Sequence, residues 1–132
     1  LVADLERLGD HAEDVMSFAI KLKNLERHQI TEINLMIDDA MSMVSDSIKS
    51  FVTGDISLAN SVIAKDDIVD MKYDELIKRI IDITKDENVS SSFAIYSTLV
   101  VKYIERIADH AVNIAEWVIY ILNGYHKDKQ IF

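Results

Sequence analysis

Leu5, Leu8, Ala12, Val15, Ala19 and Leu22 recur in alternating steps of three and four, the period of one helical stripe. The spacing predicts a first helix from about Leu1 to Leu25, followed by a polar connection at Arg27, His28 and Gln29. A second helix is expected from Thr31, a candidate N-cap, to Thr53. Its apolar face comprises Ile33, Leu35, Met36, Ile37, Ala40, Met41, Val44, Ile48, Phe51 and Val52. Thr53-Gly54-Asp55 reads as punctuation. Gly54 suits the left-handed C′ position that ends a helix, and Asp55 suits the next N-cap. A third helix follows from Ile56 to Thr84, with Leu58, Val62, Val69, Tyr73, Leu76, Ile80 and Ile83 on one side. After the polar break at Lys85-Asp86-Glu87-Asn88, the serines Ser90 to Ser92 offer caps for a fourth. That helix is expected to stop at Gly124 and leave a frayed tail, Tyr125 to Phe132.

Short connections between long helices place neighbours antiparallel. The expected fold is all-α. Residues 30–124 form an antiparallel three-helix bundle, 1–27 supply one extra helix left from a preceding, truncated three-helix bundle, and 125–132 form the tail. Composition agrees: the 132 residues contain no proline and three glycines, too few turn formers for a β-sandwich of this size. The absence of cysteine removes disulfides, thiolate catalysis and thiolate metal sites. The net charge of −9 argues against nucleic acid, whose phosphates need a basic surplus, and favours cations or basic protein surfaces. Neither a membrane span nor a signal peptide is visible in the sequence.

Leu5-Glu6-Arg7-Leu8-Gly9-Asp10-His11-Ala12 recurs as Ile104-Glu105-Arg106-Ile107-Ala108-Asp109-His110-Ala111, 99 residues later. The second copy closes a unit of three helices, whereas the first has only its last helix. The expectation is that two helices precede Leu1 and that the intact protein is a tandem of two bundles. Within each copy the acids fall four apart: Glu6, Asp10 and Asp14, then Glu105, Asp109 and Asn113. This spacing lines them along one face, roughly 155° from the stripe of Val100, Tyr103, Ile107, Ile114 and Val118. They are therefore expected on the outer face, pointing away from the core. Asp66 and Asp70 repeat the spacing on the third helix and could approach Glu105 and Asp109. Four convergent carboxylates call for a compensating cation, and oxygen-rich sites suit Mg²⁺, Ca²⁺, Mn²⁺ or iron. The simpler alternative is a solvated face with Arg106–Asp109, Lys102–Glu105 and Arg7–Asp10 ion pairs. His11 and His110 are read as structural residues at the bundle edge. Trp117, Tyr120 and Phe18, the counterpart of Trp117, are read as packing residues, and Met36, Met41 and Met43 as core or edge filler. His28 and His126 have no discernible partner. No nucleophile elbow, phosphate loop or His-Glu-x-x-His pattern is present, so no enzyme is expected.

The run Tyr103-Ile104-Glu105-Arg106-Ile107-Ala108-Asp109-His110-Ala111-Val112-Asn113-Ile114-Ala115-Glu116-Trp117-Val118-Ile119-Tyr120 resembles the C-terminal signature of the PhoU family of phosphate-signalling proteins. Asp66-Asp67-Ile68-Val69-Asp70 with Tyr73 resembles its middle-helix acidic motif, and Asp4 to Ala12 resembles the motif of the first repeat. The resemblance implies a non-enzymatic cytoplasmic negative regulator of the phosphate-starvation response. It would link a phosphate ABC transporter, through its ATPase subunit, to a sensor histidine kinase, and reach the membrane through those partners only. It also implies multinuclear iron or zinc on Asp66, Asp70, Glu105 and Asp109, with Glu6 and Asp10 in the incomplete repeat; other members hold no transition metal. Asp14 and Ser17 depart from their counterparts Asn113 and Glu116 in the second repeat. A homodimer stays open. Three rival readings are a PhoU-like domain of a sodium–phosphate cotransporter, a carboxylate-bridged metalloenzyme, and a purely structural helical bundle that associates through apolar faces.

Overall fold

The computed structural model of the chain describes residues 2–24 and 31–131. Among the described residues there are four helices and no strand: α1 (Val2–Asn24), α2 (Thr31–Thr53), α3 (Ile56–Ile83) and α4 (Ser91–Ile131). The connection holding Arg27, His28 and Gln29 lies outside them. So do the side chains of Leu8, Val15, Phe18, Ala19, Leu22 and His126.

The helix ends follow local chemistry. Gly54 takes φ +68, a left-handed conformation that glycine adopts without a Cβ penalty. Asp55 then caps α3, accepting from the Leu58 amide at 3.0 Å. Ser90 Oγ does the same for α4, accepting from the Phe93 amide at 3.1 Å. Gly124 behaves differently from expectation. Its φ stays negative and α4 runs through it to Ile131, because a glycine ends a helix only where the chain turns into the left-handed region. An interior glycine merely weakens a helix, by about 1 kcal/mol relative to alanine.

α2, α3 and α4 pack on one another as an up-down-up bundle, and α1 packs on α4. Among the described residues α1 touches neither α2 nor α3. The α2–α3 register is marked by Arg79–Glu32 at 3.0 Å, Lys72–Asp39, and Lys65–Asp46 at 3.9 Å. These pairs are partly exposed and contribute little stability, but their order shows the two helices antiparallel.

The core runs through Ile33, Met36, Ala40 and Met43 of α2, Ala59, Val62, Val69, Leu76 and Ile80 of α3, and ten or so small and branched residues of α4. On α2 the inward line ends in Ser47 and Ser50, both fully buried, while Leu35, Met41, Ile48, Phe51 and Val52 are exposed. This reverses the expected apolar face over its last two turns. The serines can be buried because each hydroxyl donates to a carbonyl of its own helix, Ser47 to Val44 at 2.9 Å and Ser50 to Ser47 at 2.7 Å. Small side chains there let the helices approach. No described helix is long and apolar enough to cross a membrane.

Candidate metal centre

α4 is buried on three sides, which places the acidic residues. The expected stripe of Val100, Ile107, Ile114 and Val118 is buried, but so is a second flank of Val101, Ala108, Val112 and Ala115. Ala108, Ala111 and Ala115 have no accessible surface. Small side chains on α4 let its neighbours approach closely, and α3 packs along it, so that side chains beside the contact meet across the α3–α4 seam. Asp66 and Asp70 flank the buried Val69; Glu105 and Asp109 flank the buried Ile104 and Ala108.

The acids meet at the edge of the α3–α4 contact, Asp70 and Asp109 on its exposed side. Asp66 and Glu105 are half-buried. Carboxylate oxygens of Asp66, Asp70 and Asp109 lie within 4.8 Å of one another, and among the described residues no other three His, Asp or Glu side chains are so grouped. Glu105 stands beside them, next to Asp109. Asp66 Oδ1 is shielded from solvent and has no hydrogen-bond partner among the described residues.

The electrostatics follow from that crowding. Burial and then the Asp70 and Asp109 charges push the Asp66 carboxyl up to about 6. Burial, then Asp109 and the other neighbouring charges push Glu105 up to about 7. Burial and Asp109 also raise Asp70. Like charges at this range disfavour full ionisation unless a cation replaces the missing compensation. None of the causes acting on these three groups is a basic side chain. Arg106, expected beside Asp109, instead lies 5.7 Å from the centre of the Tyr103 ring. The donor set, all carboxylate oxygen with one orphaned buried atom, fits a divalent cation.

Glu6 and Asp10 are exposed on α1, which does not reach α3, so the structure does not bring them to this group. His11 and His110 also stand apart, packed between α1 and α4. His110 Nδ1 lies 3.0 Å from Asp4 Oδ1, and His11 stacks on His110 and lies against Tyr103. Two acids received less weight in the sequence than their positions warrant. Glu116 and Asp67 both act on Asp66. Glu116 was legible as an acid eleven residues after Glu105, on the same helical face as Glu105 and Asp109.

The PhoU domain family matches residues 33–118, the span that holds the bundle and all four converging acids. The chain belongs to the PhoU family. It is 35% identical over 130 residues to the phosphate-specific transport system accessory protein PhoU homolog of Clostridium acetobutylicum, covering 97% of this chain and 59% of that protein. The equivalent protein of Synechocystis is 37% identical, covering 94% of this chain and 55% of its own length. The crystal structure of PhoU from Pseudomonas aeruginosa superposes with a TM-score of 0.87 at 32% identity, covering 93% of this chain and 60% of that one. The phosphate transport system regulatory protein PhoU from Streptococcus pneumoniae gives 0.80 at 30% identity, with 92% and 58% covered. This chain thus spans between half and two thirds of the length of these PhoU relatives.

Proposed function

We propose that this PhoU chain serves a phosphate transport system as a non-enzymatic regulator, and that its α3–α4 seam is a metal-dependent docking surface. The observation that carries the reading is the convergence of Asp66, Asp70 and Asp109 within 4.8 Å, with Glu105 beside Asp109. These four residues would hold one or more cations, iron or zinc by family resemblance, otherwise Mg²⁺, Ca²⁺ or Mn²⁺. A bound cation supplies positive charge and open coordination positions at the surface. The chain's own part is to hold the carboxylates together, to release the protons carried by Asp66 and Glu105, and to present the seam on one side of a rigid bundle.

The partners in this reading are the ATPase subunit of a phosphate ABC transporter and a sensor histidine kinase, met at the cytoplasmic face of the membrane. Support comes from the names of the relatives, which place PhoU homologs in phosphate-specific transport.

In the same reading α1 is the last helix of a second, equivalent bundle. Leu5 is 44% exposed where its repeat counterpart Ile104 is 1% exposed, and Ala12 is exposed where Ala111 is buried. That face of α1 is patterned to be covered by helices equivalent to α2 and α3.

The test is binding of the ATPase subunit to the chain in metal-replete buffer, beside a Glu105→Ala/Asp109→Ala variant. The reading requires the variant to lose affinity and the parent to lose it with chelator. Equal affinity throughout would refute it.

A further inference from the structure

We draw no further inference here: the strongest candidate, the hollow of about 480 Å³ between α2 and α3 walled by Leu35, Lys72, Leu76 and Arg79, carries nothing, because Lys72 and Arg79 are already paired with Asp39 and Glu32 and nothing in the structure shows what covers Leu35.

Discussion

His11 of α1 and His110 of α4 stand 99 residues apart in sequence and stack on one another, ring centroids 5.3 Å apart and planes 20° from parallel. The separation equals the offset of the sequence repeat, so the two rings are equivalent positions meeting each other. The neighbouring contacts obey the same rule. His110 meets Asp4, His11 meets Tyr103, and Asp4 and Tyr103 are themselves 99 apart. The α1–α4 interface is thus built on an approximate twofold axis, with antiparallel helices related as halves of a pair.

Asp4 is the polar anchor of that interface, meeting His110 Nδ1 at 3.0 Å and accepting from Asn113 Nδ2 at 3.5 Å. Asp4 and His110 are only 17% and 12% exposed, so their interaction is poorly screened. Asp4→Ala is expected to cost about 1–3 kcal/mol and to speed amide hydrogen exchange in α1. Exchange in α2 and α3 should stay unchanged, since among the described residues α1 touches neither. Unaltered exchange in α1 would show that the contact does not hold that helix.

Stability should depend on pH through the acidic seam. Asp66 and Glu105 have raised values, about 6 and about 7, against an unfolded range near 4. The folded chain therefore binds more protons than the unfolded one between these limits. The stabilisation they contribute is fully present below about pH 4 and is lost as pH rises through about 6 and then about 7. In chelator, Tm from this source should fall between about pH 5 and pH 8, and Asp66→Asn should flatten the fall. Cation affinity should rise over the same window, because binding must displace those protons. A Tm that rises across it, unaffected by Asp66→Asn, would contradict the electrostatic account.

Ser97 is fully buried and its hydroxyl has no hydrogen-bond partner among the described residues. Ser97→Ala removes that unsatisfied group and improves helix propensity. It should stabilise the chain by about 1 kcal/mol in a denaturant titration. Destabilisation would mean that the hydroxyl is satisfied after all, for example by a buried water.

Much of the bundle was legible from periodicity and caps. Asp55, Gly54 and Ser90 did what their residue types predict. The four-residue spacings of Asp66 with Asp70 and of Glu105 with Asp109 were legible too, and Asp66, Asp70 and Asp109 meet at the seam. Three features were not. The inward line of α2 passes through Ser47 and Ser50, and hydrophobicity alone prefers Ile48 and Phe51; the hydroxyls' bonds to their own helix appear only in three dimensions. The alanines at 108, 111 and 115 are weakly hydrophobic, so they do not mark how much of α4 is buried beside Glu105 and Asp109. Trp117 reads as core by size, yet it is 43% exposed among the described residues.

The central claim is that the seam holds a cation in place of the compensation its carboxylates lack. The direct measurement uses protein purified without chelator or histidine tag, with metal per chain found by elemental analysis and Tm read with and without EDTA. Parent and Asp66→Asn/Asp109→Asn are compared at about pH 8. The account predicts stoichiometric metal in the parent and a Tm that drops with EDTA, since a ligand at a hundred times its Kd stabilises by about 2.7 kcal/mol. It predicts no metal in the variant, and a Tm at or above that of the chelated parent, because two repelling charges are gone. No metal in either protein, EDTA without effect, and a variant less stable than the chelated parent would contradict it.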